Sequence, residues 1–374
     1  MFDSRLLHTL PTLAEPVLTV YLDTNPANPR NLRRPPGASA WVKTHARDLA
    51  AQLPNADPKL IKDQAQRIDA CLAGHPARAK GMIFFAGPGN WKIIRLQVPV
   101  EDEIYWGKPS LGQLLWILDE HRPYGVLVVD RSGARFFRYW LGEIEEQKQD
   151  RLEFELDLSQ WRRRELVMGR GADRDSFQQR VDAHYARFFK ETAERCREWR
   201  ERERLSPVFV AGPTEAAEAV WNVLPESCRA QSALVKGLPA RVTGPELLRR
   251  IEPEIETWKR ARELEEVEAI LAAGEGAGTA LGIDMTLASI QQGTARKLLA
   301  AHGLRGRVRV CRQCGWTDRN PEDICRRCGG VREMESLRTL LPELAHTRNI
   351  PVEVVAGEAA ERLRSVEGLA AWLA

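Results

Sequence analysis

Four of the seven cysteines form two tight pairs near the carboxyl end of the chain. Two residues lie between Cys311 and Cys314 and between Cys325 and Cys328, and ten residues separate the pairs. Two intervening residues let both sulfur atoms of a pair reach one ion from a tight turn. Four thiolates complete a tetrahedron with no open position, so the pattern predicts a structural zinc ribbon over residues 308–332. A redox pair and an iron–sulfur cluster are the alternatives.

The other three cysteines, Cys71, Cys196 and Cys228, fall in patterns typical of helix or strand interiors. An odd cysteine count with scattered members does not fit a secreted disulfide framework. We therefore interpret these three as buried, inert thiols.

The cysteine module is basic, with eight arginines and three acidic residues between Gly303 and Arg332. A zinc ion with four thiolates carries a charge of −2, so the arginines could simply compensate it. Clustered cations are also what contact with a nucleic-acid backbone requires. The sequence leaves both interpretations open.

A second cationic stretch, Gln160–Arg180, contains six arginines and three acidic residues. Its Gly-Arg-Gly sequence would let the backbone approach another surface closely, because glycine tolerates conformations that other residues avoid. The stretch is either the tip of a nucleic-acid contact or an exposed loop without a task. Asp173 and Asp175 could form an acid–base pair, but their position favours capping of the following helix, with Ser176 as a further candidate cap.

No catalytic set stands out elsewhere in the sequence. The seven histidines are scattered, none with a ligand partner at helical spacing, and neither a phosphate-binding loop nor a nucleophile elbow is present. We predict no catalytic residues.

The elements that must position these residues follow from periodicity. A long helix is predicted from Phe177, because apolar residues recur along it every three or four positions up to Trp199. Strands are predicted at GMIFFAG, WKIIRLQV, GVLVVD, ARFFRYW and EFELDL. Helices are predicted at LGQLLWILDE, with Ser110 as its cap, and at TLASIQQGTARKLLAAHG, and a last helix closes the chain.

Composition places these elements in a soluble protein. The 374 residues are 43% apolar and 29% charged, and their number predicts two or three domains. No apolar run approaches the roughly 18–20 residues needed to span a bilayer, and no signal peptide precedes the first strand. We expect a cytoplasmic protein without membrane contact. A net charge of +3 does not by itself predict a nucleic-acid partner.

The order of these segments resembles the superfamily of archaeal and eukaryotic class I release factors and Pelota, and more closely its bacterial members. Two strands of a first domain are similar to VLTVYLDTNP and KGMIFFAG. The opening hairpin of a middle domain is similar to GVLVVDRSGARFFRYWLGEI. The catalytic loop and the following helix of that domain are similar to GRGADRDSFQQRVDAHYARFFKETAE. A third domain, which carries a zinc module in archaeal members, is similar to MTLASIQQGTARKLLAAHG and SVEGLAAWLA.

The resemblance implies a mixed α/β and α+β fold in a three-domain, tRNA-shaped protein. The domains would cover residues 1–120, residues 121–252 with an RNase H-like fold, and residues 253–374 with the inserted zinc ribbon. Such a protein would bind the A site of the ribosome, with the middle domain near the peptidyl-transferase centre. The third domain would meet a translational GTPase, for which elongation factor Tu is a candidate, or the stalk base.

The sequence departs from the superfamily at the catalytic loop. Release factors carry Gly-Gly-Gln there, which occurs nowhere in this chain, and the matching stretch is Gly169-Arg170-Gly171-Ala172-Asp173. Recognisable stop-codon motifs are also missing from residues 1–120. The missing Gly-Gly-Gln makes this chain similar to the Balon-like hibernation factors of the superfamily, which lack the hydrolytic motif.

We therefore predict a non-hydrolytic A-site binder that acts in ribosome hibernation or rescue. The residues expected to contact ribosomal RNA are Arg162, Arg163, Arg164, Gly169, Arg170, Gly171, Ala172, Asp173 and Arg174. One alternative is a peptidyl-tRNA hydrolase or release factor with a divergent loop. Another is a zinc-ribbon nucleic-acid-binding protein unrelated to the ribosome.

Overall fold

The computed structural model describes residues 5–32, 37–74, 79–154, 173–239, 241–276 and 278–374. The chain divides into two compact units. One combines Met1–His121 with Arg260–Ala374, and the other is Arg122–Lys259. The predicted mixed α/β class is confirmed, whereas the predicted domain boundaries stay a prediction.

The N-terminal segment of the first unit builds an antiparallel sheet in the order β3-β2-β1-β4. Its helices are α1 (Leu6–Thr9), α2 (Gly37–Gln52), α3 (Pro58–Gly74) and α4 (Gly112–Glu120), and its strands are β1 (Val17–Asp23), β2 (Gly81–Gly87), β3 (Asn90–Leu96) and β4 (Glu103–Gly107). Helices α2 and α3 bury their apolar faces on β1 and β2. The predicted Ser110 cap is wrong, because α4 begins after Leu111 without a side-chain capping bond.

The second unit is built on a sheet in the order β10-β9-β5-β6-β7, with β8 also paired to β6. Its strands are β5 (Tyr124–Val129), β6 (Gly133–Trp140), β7 (Glu143–Glu146), β8 (Leu152–Glu153), β9 (Val208–Gly212) and β10 (Ser232–Lys236). Its helices are α5 (Asp173–Glu203), α6 (Thr214–Val223), α7 (Glu226–Arg229) and the part of α8 (Gly244–Ala273) that precedes residue 260. Strands β5, β9 and β10 run parallel, as is typical of strands that alternate with helices along the chain.

The hairpin region differs from the prediction of a third strand at EFELDL. Strand β6 pairs with β7, which was not predicted. Strand β8 pairs with β6 through Leu152 and Glu153, of which only Glu153 belongs to the predicted strand. Residues 155–158 of the predicted strand lie outside the described residues. The sequence Glu-Ile-Glu-Glu of β7 has little β-propensity, so its pairing follows from the hairpin with β6.

Helices cover both faces of this sheet. The apolar stripe predicted on the long helix is confirmed from Phe188 onward. There Phe188, Cys196 and Trp199 are buried against one face of the sheet, together with residues of α6. The other face is covered by α8 through Leu247, Ile251 and Ile255. The long helix begins at Asp173, four residues before the predicted start at Phe177.

The C-terminal segment adds two sheets to the first unit, in the orders β11-β17-β12-β16 and β14-β13-β15. Its strands are β11 (Thr279–Leu281), β12 (Ala295–Ala301), β13 (Arg307–Cys311), β14 (Thr317–Asp318), β15 (Arg332–Ser336), β16 (Val352–Val355) and β17 (Leu369–Leu373). Its helices are α9 (Ile283–Gln292), α10 (Leu337–Thr347) and α11 (Gly357–Leu363). The smaller sheet carries the cysteine module.

The single helix predicted at TLASIQQGTARKLLAAHG is wrong. Helix α9 ends at Gly293, which adopts a left-handed conformation with φ +76 and donates its N–H to the carbonyl of Ile290. The remaining residues form β12, a central strand between β16 and β17. Its alanines and leucines have good helix propensity, but pairing on both edges and burial on both faces override it. The chain likewise closes on strand β17, which follows the predicted last helix.

Among the described residues, no helix is both long and apolar enough to cross a bilayer. The two longest, α5 and α8, are rich in charged residues throughout their lengths.

Candidate metal centre and the loop-bearing helix

The cysteine module consists of two equivalent turns. In each, the second cysteine is followed by a glycine in the left-handed conformation, Gly315 at φ +72 and Gly329 at φ +75. The N–H of Gly315 donates to the carbonyl of Cys311 at 2.9 Å, and the N–H of Gly329 donates to Cys325 at 2.8 Å. A side chain at these positions would strain the backbone, so the glycines are needed to shape both turns.

The turns bring the four predicted cysteines together. Their sulfur atoms all lie within 4.8 Å of one another, with 3.4 Å between Cys311 and Cys328 and 3.7 Å between Cys314 and Cys325. Four thiolates at about 2.3 Å from a tetrahedral ion would be about 3.8 Å apart. Cys311 and Cys325 are buried, whereas Cys314 and Cys328 are exposed. The donor set and its spacing fit a single metal ion with soft-ligand preference.

Electrostatics within the cluster favour a bound cation. The backbone N–H of Cys314 donates to the Cys311 sulfur and is the main reason that the pKa of Cys311 is lowered to about 6. At Cys328 the N–H of Gly330 acts in the same direction, but hydrogen bonds with the neighbouring thiols outweigh it and raise the pKa of Cys328 to about 12. Thiolates this close repel one another, so full ionisation of the set requires a cation among them.

Two residues that the sequence did not single out hold the ribbon in place. Gln291 of α9 donates to the carbonyl of Thr317 at 2.7 Å and accepts the N–H of Thr317 at 2.6 Å. Arg332, only 4% exposed, bonds to the carboxylate of Asp318 and to the carbonyl of Arg309 at 3.2 Å. No local pattern identifies Gln291, since its partner lies 26 residues away.

Most arginines of the module are paired with carboxylates. The pairs are Arg305–Glu101, Arg309–Asp323, Arg312–Glu333, Arg319 with Asp284 and Glu367, Arg326–Glu322, and Arg332–Asp318. Arg327 instead stacks 4.8 Å over the ring of Trp316. Six of the eight arginines are therefore paired with carboxylates of the chain, so both interpretations of this basic stretch stay open.

The predicted RNA-contacting residues fall at the start of the long helix and before it. Arg162, Arg163, Arg164 and the stretch from Gly169 to Ala172 lie outside the described residues. Asp173 and Arg174 are the first two residues of α5, and their side chains lie outside the described part of the structure. The candidate caps Asp175 and Ser176 fall in the same part. These site assignments stay predictions.

The C-terminal half of α5 is anchored firmly to the sheet. Trp199 is fully buried and packs edge-on against Phe136 with ring centroids 5.2 Å apart. Arg202 donates to Asp150 at 2.6 Å, and that carboxylate is 1% exposed. The C-terminal half of the helix is therefore fixed to the sheet by packing and by an ion pair whose carboxylate is buried.

A comparison with protein families gives a match to the middle of the chain. Residues 109–256 match the family described as bacterial archaeo-eukaryotic release factor family 10. No curated protein is a detectable relative of the chain.

Several solved structures are similar to the whole chain or to most of it. The archaeal translation termination factor aRF1 is 18% identical over 99% of this chain and 96% of its own, with a TM-score of 0.26. Ribosome-bound archaeal Pelota, described together with ABCE1, is 16% identical over 79% and 77%, with a TM-score of 0.44. Saccharomyces cerevisiae Dom34 is 10% identical over 78% and 80%, with a TM-score of 0.42. All three TM-scores are below 0.5.

Proposed function

We propose that the chain is a bacterial-type member of the superfamily of archaeal and eukaryotic release factors and Pelota. We further propose that it is a translation factor that binds the ribosomal A site without hydrolysing peptidyl-tRNA. Its role would be in ribosome hibernation or rescue. The observation that carries this proposal is the family match over residues 109–256 in a chain that contains no Gly-Gly-Gln.

The chemistry of ester hydrolysis explains why the missing motif matters. A glutamine side chain at the loop tip, with the backbone N–H beside it, is what would orient a water molecule against the ester. The matching stretch here ends in Ala172 and Asp173, and Asp173 is already the first residue of α5. A carboxylate in a cavity walled by phosphates would be repelled and has no amide N–H to offer. Binding without catalysis is the function that this stretch supports.

The long helix supplies the reach that A-site binding requires. With 31 residues, α5 extends about 46 Å at 1.5 Å per residue. Its C-terminal half is fixed through Trp199 and through the pair of Arg202 with Asp150. The arginines that precede the helix in sequence would contact the ribosomal RNA backbone, and contacts of this kind give affinity without sequence selectivity.

We assign zinc to the four-cysteine centre, with a structural role. Cys311, Cys314, Cys325 and Cys328 would hold it, and the closed thiolate set leaves no position for substrate or water. Superfamily membership also supports a translational GTPase as a partner of the C-terminal segment. Elongation factor Tu is the candidate that we propose.

Co-sedimentation with 70S ribosomes tests the proposal. We expect the full chain to pellet with ribosomes at low ionic strength and to be released progressively as salt rises, because phosphate contacts release counterions. Arg170→Glu should weaken binding about 10- to 150-fold, since a charge-assisted hydrogen bond contributes about 1.5–3 kcal/mol.

Arg241→Glu is the matched control, because Arg241 is exposed in the same compact unit and makes the same charge change. It should leave ribosome binding within about twofold of the unaltered chain. A chain that stays in the supernatant at low salt would refute the proposal, and equal losses for both variants would refute the role of the loop.

A further inference from the structure

The two segments that make up the first unit each have an apolar core of their own. In the N-terminal segment a core lies between β1, β2 and the helices α2 and α3. In the C-terminal segment a core lies between the larger sheet and the helices α9 and α10. Among the described residues, Trp116 of α4 is the one member of this second core that comes from the N-terminal segment. The two segments are therefore joined chiefly through α4 and the residues around it.

Helix α4 is tied to the N-terminal segment by hydrogen bonds on one side. The phenol of Tyr21 donates to the carbonyl of Ser110, just before the helix, at 2.7 Å. Gln113 accepts the N–H of Glu101 at 2.8 Å and donates to the carbonyl of the same residue at 3.1 Å. These bonds fix α4 to β1 and to the chain that precedes β4, so the helix would stay with the N-terminal sheet if the two segments parted.

A different set of contacts joins α4 and its neighbours to α10, and we refer to it as the seam. The indole N–H of Trp116 donates to the carbonyl of Arg338 at 2.5 Å. The guanidinium of Arg338 pairs with Glu101 at 3.0 Å and with Glu103 at 3.4 Å. The backbones of α4 and α10 also approach closely, because a Cβ at Gly112 would lie 2.6 Å from the carbonyl oxygen of the residue after Arg338.

The seam is less completely packed than either core. A cavity of about 310 Å³ lies along it, lined by Ile117 of α4 and by Ala301 and Leu304 at the end of β12. His302 and Glu120 also line the cavity and pair across it at 3.4 Å, but the histidine side chain is 57% exposed. Partly hydrated ion pairs beside a cavity stabilise less than close-packed apolar side chains. The seam should therefore separate at a lower free energy than the unfolding of either core.

We propose that α4 is a latch that holds the N-terminal segment on the C-terminal segment and that opens while both cores stay folded. In the open arrangement the bonds of Trp116 and Arg338 across the seam are lost, and those of α4 with Tyr21 and Glu101 persist. A ligand that binds one arrangement more tightly than the other would shift the equilibrium toward it. The latch rests only on contacts within the first unit and is independent of the proposed A-site role.

Exchange of the Trp116 indole N–H with solvent, followed by NMR on the full chain with isotope-labelled tryptophan, tests the latch. This hydrogen bond crosses the seam, so the indole N–H exchanges whenever the seam opens, even if both cores stay folded. Its resonance is assigned from its loss in Trp116→Phe. In the unaltered chain the indole N–H should be less protected than the backbone amides of β1 and β2.

Gly112→Ala changes the seam alone. A methyl group at this position would lie 2.6 Å from the carbonyl oxygen and 2.8 Å from the Cα of Thr339, so the two helices must move apart. Alanine favours the helix itself, so α4 should stay folded. The Trp116 indole N–H should exchange about 5- to 150-fold faster, as expected for an overpacked contact. Exchange of the β1 and β2 amides, measured by mass spectrometry, should not change.

Arg338→Met is a second variant, because it removes the ion pairs with Glu101 and Glu103 and keeps the carbonyl that Trp116 bonds. It should accelerate indole exchange about two- to fivefold. Gly89→Ala is the control, since a Cβ there meets nothing within 4 Å, and it should leave both rates unchanged. Equal acceleration of the indole and of the β1 and β2 amides in Gly112→Ala would overturn the proposal, because the seam would then open only when the unit unfolds. Unchanged indole exchange in Gly112→Ala and Arg338→Met would overturn it as well.

Discussion

The packing of Trp199 against the central strand of the second unit should determine how firmly the loop-bearing helix is attached. A methyl group added at Gly125 of β5 would lie 2.7 Å from Cζ3 and 2.8 Å from Cη2 of the Trp199 ring. Real Cβ atoms do not approach other atoms so closely, and neither the sheet nor a fully buried indole can easily move. Gly125→Ala should therefore destabilise this unit by about 1–3 kcal/mol.

Trp199→Phe provides a compensating change, because phenylalanine lacks the second ring that carries Cζ3 and Cη2. It loses buried apolar volume, but it also removes an indole N–H that has no hydrogen-bond partner among the described residues. An unsatisfied buried donor costs about 1–3 kcal/mol, which offsets part of the loss. In the double variant the alanine methyl has room, so the two changes should couple favourably by at least about 1 kcal/mol.

Hydrogen exchange measured by mass spectrometry on the full chain is the appropriate assay, since it reports local opening in each unit. Peptides from β5 and α5 should exchange about 5- to 150-fold faster in Gly125→Ala, which corresponds to about 1–3 kcal/mol. Peptides from β1 and β2 should not change. Gly89→Ala is the control, because a Cβ there meets nothing within 4 Å. Unchanged exchange in Gly125→Ala, or a double variant no better than the sum of the single ones, would refute the reasoning.

Three further predictions concern the metal, the loop and pH. Purified protein should contain one zinc ion per chain, and Cys325→Ser should lose it and accelerate hydrogen exchange in the ribbon alone. Ribosomes holding labelled peptidyl-tRNA should release no peptide with this protein, and release that disappears on Asp173→Ala would show instead that the loop is catalytic. The hydrogen bond with Glu120, 3.4 Å away, raises the pKa of His302 in the folded chain. This pair therefore stabilises the fold fully at pH values below the pKa of about 6.5 that the histidine has in the unfolded chain. The stabilisation is lost as the pH rises through the raised pKa of the folded chain. Titration of His302 by NMR, with Glu120→Gln as comparison, should show the raised pKa only in the unaltered chain.

Several elements could be predicted because their signals are local. The stripe from Phe188 to Trp199 predicted one face of the long helix, and the strand Tyr124–Val129 was predicted from the valine-rich segment GVLVVD. The segment after Gly293 could not be predicted in the same way. Its residues favour a helix in isolation, and only pairing with β16 and β17 on both sides makes it a strand.

The four cysteines that could hold a metal ion were identified from the sequence by itself. Two residues between the thiols and a glycine after the second thiol define each turn. The set of ligands can therefore be recognised from two short segments of sequence. The tertiary structure alone decided what surrounds that centre and the helix. The glutamine that holds Thr317, the carboxylates of Asp284 and Glu367 that pair with Arg319, and the carboxylate of Asp150 that holds Arg202 come from segments between 26 and 52 residues away. Such contacts depend on which elements pack together, and residue types along the chain do not encode that in any local pattern.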